Sequence, residues 1–320
     1  MFTNAARPAI SVTGLRKSFG EQVVLDGIDL RIPVGSIFAL LGPNGAGKTV
    51  MVQILSTLIA PDSGEIRIAG HDLAREPESV RAAIGVTGQF SAVDELLDGM
   101  ENLQLMADLH HLGRDEGRRR IAALLERFDM VEFARKSVPT YSGGMRRRLD
   151  LAMSLIGDPR IVFLDEPTAG LDPRSRQVMW QLIRELVAGG VTIFLTTQYL
   201  EEADQLADRI AVLHGGHLVA EGTAADLKRM IPGGSIRLEF PDLGALDAAA
   251  RMLGLITRDD AELTLSVPGE GSAESVRSLL NQLAASNIPV DRVSVQTPDL
   301  DDVFLTLTGA SSDIGQEVAQ

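Results

Sequence analysis

One stretch constrains this chain more than any other: Gly42-Pro43-Asn44-Gly45-Ala46-Gly47-Lys48-Thr49, which fits the spacing G-x-x-x-x-G-K-[ST]. The mostly apolar run SIFALLG precedes it and predicts a buried strand. The run VMVQILSTLI follows, apolar at helical spacing, and predicts a helix. A glycine-rich turn between a buried strand and a helix lets backbone N–H groups curl around an anion, and the helix N-terminus adds its partial positive charge. Lys48 can reach the outer phosphates of a nucleoside triphosphate, and the Thr49 hydroxyl can ligate Mg2+. The spacing therefore requires an α/β fold in which a strand feeds directly into a helix.

The run RIVFLDEP supplies the carboxylates such a site needs. Four apolar residues lead to Asp165 and Glu166 at a predicted strand end. Asp165 is placed to hold Mg2+, and Glu166 to orient and polarise an attacking water. A second buried run, VTIFLTTQ, ends in Thr196-Thr197-Gln198, and ligands in open α/β sheets sit beyond the carboxyl ends of the strands.

Around these motifs the pattern is orderly. AISVTGLRKSF, VVLDGIDLRI and SIFALLG read as three strands, GEIRIAGHDL as a further strand element, and residues 95–130 as a helical insertion. RSRQVMWQLIRELVAGG is a helix with glycine at its end, and DRIAVLHGGHLVAEG a hairpin around Gly215-Gly216. Residues 231–234 read as a linker. Beyond it, residues 235–310 give the order β-α-β-β-α-β, a ferredoxin-like arrangement. Residues 311–320 read as a disordered tail.

Composition narrows the functions. At 320 residues the chain is long enough for about two domains. A net charge of −14 opposes binding to nucleic acid, because neutralising phosphates needs a basic surface. The absence of cysteine excludes thiolate and disulfide chemistry. The N-terminus has no signal-peptide core, and no run approaches the ~18 apolar residues of a membrane span. His110-His111 and His214/His217 suggest no third metal ligand and read as solvated.

The segment YSGGMRRRLDLAMSLIGDPRIVFLDEPTAGLD, residues 141–172, resembles the ATP-binding-cassette (ABC) ATPases. Ser142-Gly143-Gly144 matches the family's signature motif, Ala169-Gly170-Leu171-Asp172 its D-loop, Gln89 its Q-loop and Phe19 its adenine-stacking residue. The likeness covers roughly residues 10–230, with residues 90–160 as the helical subdomain. It implies a P-loop NTPase with an antiparallel β subdomain, a helical subdomain and a small C-terminal α+β domain. It further implies ATP and Mg2+ as ligands and nucleotide contacts for Phe19, Val24, Gly42 to Val50, Gln89, Ser142, Gly143, Gly144 and Asp172. Thr49, Gln89 and Asp165 become the metal ligands, and Glu166 and Gln198 the catalytic pair. Ser142-Gly143-Gly144 opens a helix and so forms an anion site of its own. The resemblance implies a head-to-tail homodimer in which each signature caps the γ-phosphate held by the other chain.

Its partner is then an integral-membrane permease subunit on a separate chain, docked by the helical region. The protein would be cytoplasmic and peripheral on the cytoplasmic face of the cell membrane. The tail TPDLDDVFLTLTG and the stretch LTTQYLEEADQLADRIAVLHGGHLVAEGT resemble the ATP-binding subunits of daunorubicin-resistance-type drug exporters. Exporters of lipid or polysaccharide, importers, and soluble ABC factors are the alternatives. Three departures stand out. Tyr141 and Met145 replace the common Leu and Gln of the signature. Arg146, Arg147 and Arg148 follow it and read as a solvated or ion-paired helix face. Gln198 stands where most members carry a switch histidine. An amide can donate to a phosphate oxygen but cannot become cationic or carry a proton.

Overall fold

The computed structural model describes residues 8–88, 92–230, 234–254, 257–269, 272–296 and 299–308. Its contacts divide the chain into two compact units, Met1–Ala224 and Ala225–Gln320. The expected linker residues 231–233 and the expected tail lie outside the described residues.

The first unit opens with the strands β1 (Ile10–Phe19), β2 (Gln22–Ile32) and β3 (Ile37–Leu41), then α1 (Lys48–Leu55). β4 (Ser63–Ile68), β5 (His71–Asp72), α2 (Pro77–Ala83) and β6 (Ile84–Thr87) follow. The helical stretch holds α3 (Gly99–Leu109), α4 (Arg114–Arg127) and α5 (Gly143–Ser154). β7 (Ile161–Asp165), α6 (Pro173–Ala188), β8 (Thr192–Thr197), α7 (Leu200–Leu206), β9 (Arg209–His214) and β10 (His217–Gly222) complete it. A short helix α8 (Ala224–Arg229) spans the division between the units.

These strands form two sheets. One is antiparallel, in the order β2-β1-β4-β5. The other has the order β10-β9-β3-β8-β7-β6 and is parallel except for β10 at its edge. β3, β7 and β8 are buried at every residue, as expected of strands covered on both faces. Phe194 sits at the middle of this core, with ring centroids 5.7 Å from Phe38 and 5.6 Å from Phe163. Gly64 shows why its position takes no side chain. Its φ is +115°, and a Cβ there would lie 2.7 Å from the Leu15 Cα, so β4 can approach β1 only as glycine.

The helical stretch is anchored by polar detail as much as by apolar packing. Asp98 caps α3 in a reciprocal capping box with Glu101. Asn102, fully buried, donates to the carbonyls of Asp94 and Asp98. Leu103, Leu125 and Met130 join the core as expected, but Leu96, Leu105 and Leu109 are exposed, Leu96 at 94%. The helical period of α3 turns Leu105 and Leu109 to the outer face, while Leu96 lies in the turn before it, so the insertion is not all core.

The second unit contains β11 (Ser235–Glu239), α9 (Leu243–Leu253), β12 (Thr257–Asp259), β13 (Thr264–Pro268), α10 (Ala273–Ala285), β14 (Arg292–Gln296) and α11 (Leu300–Thr308). Its sheet runs β12-β13-β11-β14, antiparallel throughout, the arrangement of a split βαβ unit. Ile236, Leu238 and Leu265 of the sheet meet Leu246 and Ala249 of α9 and Leu279 and Leu283 of α10 in a core of their own. Asp242 and Ser272 cap these two helices through backbone N–H groups three residues on.

Removing the Phe194 ring leaves Phe38 and Phe163 facing a void. Phe194→Ala is expected to destabilise the first unit by about 3–5 kcal/mol, and Phe194→Leu by less. Urea unfolding followed by the fluorescence of Trp180, the single tryptophan, measures this. A loss below that of the Leu variant would show that the rings do not share one core.

Candidate functional site

Parallel register brings the motifs together. β8 lies between β3 and β7, with Leu41 opposite Thr197 and Asp165 opposite Thr196. The ends of β3, β8 and β7 thus stand side by side, and the phosphate loop, Gln198 and Glu166 emerge from one edge of the sheet.

The loop from Gly42 to Gly47 leads straight from β3 into α1. A Cβ on Gly42 would lie 2.5 Å from the Leu213 carbonyl oxygen, and Gly47, at φ +105°, lies against Val24 of β2. Gly45 is also left-handed, and the Ala46 N–H donates to the Pro43 carbonyl. Asn44 and Gly45 are exposed, while Thr49 and Val50 are half-buried on α1. Lys48 is buried. Its Nζ donates to the carbonyls of Gly42 (2.8 Å) and Pro43 (3.1 Å) and lies 3.6 Å from Glu166 Oε1. Burial lowers its pKa from the ordinary lysine value, opposed by Glu166 and Asp165.

Asp165 is 2% exposed, and its Oδ1 accepts the Thr196 hydroxyl. Glu166 has φ +49°, left-handed for a residue with a side chain. Such a backbone costs about 1–3 kcal/mol and persists only where its surroundings hold it. Its N–H donates to the Thr196 carbonyl (3.1 Å) and hydroxyl (3.2 Å). Gln198 is half-buried, two residues past Thr196, and the Tyr199 N–H donates to Thr197 Oγ1 behind it.

Phe19 is half exposed at the tip of the β1–β2 hairpin, with Lys17 Nζ 5.2 Å from its ring centre. Val24 belongs to the same hairpin, so both expected adenine-side residues come from one element. Gln89 lies outside the described residues.

Ser142 caps α5, its Oγ accepting from the Met145 N–H. Gly143 faces Leu171 of the D-loop and Gly144 faces the first turn of α6. A Cβ on Gly144 would lie 2.6 Å from Ser175 Oγ, and one on Gly143 would lie 3.7 Å from Leu171. Asp172 caps α6 with both oxygens engaged by Ser175, and those bonds hold its carboxyl below the ordinary aspartate pKa. Tyr141 is a core residue here: its hydroxyl donates to the Phe133 carbonyl and its ring meets Phe133 edge-on.

Three residues escaped the sequence reading. Arg147 is not on a solvated face. Its side chain is 12% exposed and donates to the carbonyls of Gly88, Asp165, Glu166 and Pro167. The ion pair expected of it does exist, with Asp150 at 3.3 Å. Arg146 and Arg148 pair with Glu95 and Asp129. The second missed residue, Thr196, holds Asp165 and Glu166 at once. The third is Glu202 on α7, fully buried, which accepts from Thr168 Oγ1 (2.7 Å) and Trp180 Nε1 (3.1 Å) and so ties the switch segment to the D-loop. A carboxylate inside an otherwise apolar helix stripe (LEEADQL) was the signal for it.

The family model described as ABC transporter matches residues 25–169. Similar proteins include the daunorubicin resistance ATP-binding protein DrrA3 of Streptomyces coeruleorubidus, 50% identical over 95% of this chain and 97% of its own length. The daunorubicin/doxorubicin resistance ATP-binding protein DrrA of Streptomyces peucetius is 44% identical over 95% and 94%. The Nod factor export ATP-binding protein I of Ralstonia nicotianae is 37% identical over 94% of each. Among solved structures, an ATP-binding subunit of an ABC transporter matches at TM-score 0.63 and 30% identity, covering 69% of this chain and 92% of that one. A dimeric ATP-binding cassette in a post-hydrolysis state with ADP and Pi matches at TM-score 0.61 and 26% identity, covering 67% and 98%.

Burial pushes Glu202 above the ordinary glutamate pKa, against hydrogen bonds from Thr168, Thr197 and Trp180 and the charge of Arg176. The folded chain then keeps a proton that the unfolded chain releases. The stability contributed is full below the unfolded pKa and falls as pH rises through the folded one. Glu202→Gln, neutral throughout, removes that slope. The thermal midpoint of the wild type, relative to the Gln variant, is expected to fall as pH rises above the ordinary glutamate pKa. Parallel curves would mean that Glu202 ionises alike in both states.

Proposed function

Because the chain belongs to the ATP-binding subunits of ABC transporters, and so is an ATPase, we propose that it powers export of a drug-like or antibiotic substrate through a separate membrane subunit. The observation that carries the hydrolytic reading is the gathering of Lys48, Asp165 and Glu166 at one edge of the sheet, with Lys48 Nζ 3.6 Å from Glu166 Oε1. The names of the relatives that match along nearly the whole chain support drug export. The Nod factor relative supports a second reading, export of another class of molecule by the same cassette.

In this reading the phosphate loop wraps the triphosphate with its N–H groups. Lys48 exchanges Glu166 for the γ-phosphate, a partner of higher charge, and the freed carboxylate orients water. Phe19 and Val24 contact the base side. Gln198 donates its amide N–H to the γ-phosphate and accepts from the partner's D-loop. Mg2+ suits the donor set, a hydroxyl and a carboxylate oxygen on Thr49 and Asp165, with Gln89 added from outside the described residues. When bound, it neutralises charge across the β- and γ-phosphate oxygens.

Two copies meet head to tail in this scheme, each offering Ser142, Gly143 and Gly144 to the other's γ-phosphate, with Asp172 nearby. The cap on α5 supports this, since it leaves the exposed Ser142 and Gly143 at a helix N-terminus. Among the described residues no helix is long and apolar enough to cross a membrane, which fits a permease on another chain and a place on the cytoplasmic face of the cell membrane. The second unit then serves to strengthen or regulate the dimer.

Glu166→Gln is expected to keep nucleotide affinity while slowing hydrolysis by about 100-fold or more, and a near wild-type rate removes Glu166 from the role. Lys48→Ala is expected to weaken both binding and hydrolysis, read by fluorescent-nucleotide titration and phosphate release.

Gln198→Ala is expected to impair turnover, Gln198→His to be tolerated, and the wild type to show no activity limb near neutral pH arising at this position. Full activity in the Ala variant removes the positioning role.

A further inference from the structure

Arg147 stands on the signature helix, yet its guanidinium is spent on the ends of two strands. Nη2 donates to the carbonyls of Asp165 (2.9 Å) and Glu166 (3.1 Å). Nε donates to the Pro167 carbonyl (2.9 Å), and Nη1 to the Gly88 carbonyl (2.9 Å). β6 ends at Thr87 and β7 at Asp165, so these carbonyls lie at or just past the last rungs of neighbouring parallel strands. Carbonyls that the ladder no longer pairs take other donors. A planar fork supplies several at fixed angles, which the point charge of a lysine cannot do. Asp150, itself buried, neutralises the fork from one turn along α5.

The Glu166 backbone is therefore gripped from both sides. Its N–H is held by Thr196 of β8, and its carbonyl by Arg147 of α5 (3.1 Å) together with the Ala169 N–H of its own turn (3.2 Å). Between these two grips the residue takes its left-handed φ of +49°. We infer that Arg147 is a positioning residue for ATP hydrolysis, whose fork holds the Glu166 backbone in the left-handed conformation that aims its carboxylate at the phosphate loop. The inference rests on the role given to Glu166 above. It differs from a merely structural brace of α5, because its effect passes through one carboxylate.

The test uses the full chain carrying Arg147→Lys, Glu166→Gln and the two together, with kcat and KM for ATP, fluorescent-nucleotide Kd, and folding followed by Trp180. Arg147→Lys is expected to lower kcat by about 10- to 100-fold, the cost of a misplaced catalytic group. KM and nucleotide Kd are expected to change by less than about threefold. Added to Glu166→Gln, the same change is expected to leave the residual rate unaltered, since no carboxylate remains to be aimed. A wild-type kcat in Arg147→Lys overturns the inference. So does a residual rate that falls by the same factor in the Glu166→Gln background, or a KM that rises in step with the loss of kcat. If the lysine variant does not fold, Arg147→Gln, neutral and able to reach a single carbonyl, is read against the same criteria. A near wild-type rate in Glu166→Gln alone sinks the role of Glu166 instead, while slow hydrolysis there with Arg147→Lys unaffected sinks only the inference.

Discussion

Everything in the first unit depends on the parallel pairing of β3, β8 and β7. Pairing in this register sets Leu41 beside Thr197 and Asp165 beside Thr196, so three strand ends finish in one row. Strands buried on both faces cannot slip by one residue without exposing an apolar side chain or burying a polar one. The polar residues that follow each strand are thereby fixed in space to within a side chain's reach. The phosphate loop, the carboxylates and Gln198 are neighbours for that reason, although the loop precedes the others by more than 100 residues.

That edge collects negative charge inside an already acidic chain. Asp165 and Glu166 are crowded there, with Lys48 and Arg147 as the buried counter-charges. Burial lowers the pKa of both cations, and the carboxylates beside them hold the protonated forms in place. In the proposed function a triphosphate would bring still more negative charge, to be met by loop N–H groups, a helix terminus and Lys48. The pairing of Lys48 with Glu166 gives the lysine a partner that a phosphate can replace, which suits a group that must hold its charge before its substrate arrives.

Glu202 and Arg147 converge on one short turn from opposite directions. Arg147 takes the carbonyls of residues 165 to 167, and Glu202 takes the Thr168 hydroxyl. A strained Glu166 is affordable between two such restraints. The helices α5 and α7 therefore both hold the turn that follows β7.

The sequence by itself determined the local pieces. G-x-x-x-x-G-K-T, the apolar runs ending in DE and TTQ, and the Ser-Gly-Gly helix start each carry their chemistry in adjacent residues, so spacing alone revealed them. The β-α-β-β-α-β order of the second unit was equally legible, because period-2 and period-3.6 patterns alternate cleanly there, but the helix α11 that follows it was not among the expected elements. β6, only four residues long, and the short helix α2 were not legible, since they are too brief for a period to register. Tertiary structure alone decided what Arg147, Thr196 and Glu202 do. Three consecutive arginines look alike in a sequence, and only the packing of α5 turned Arg147 onto the strand-end carbonyls and Arg148 onto those of Phe128 and Asp129. Backbone carbonyls belong to every residue and leave no trace in composition, so a side chain whose partners are carbonyls 18 to 59 residues away could be found only after the chain had folded.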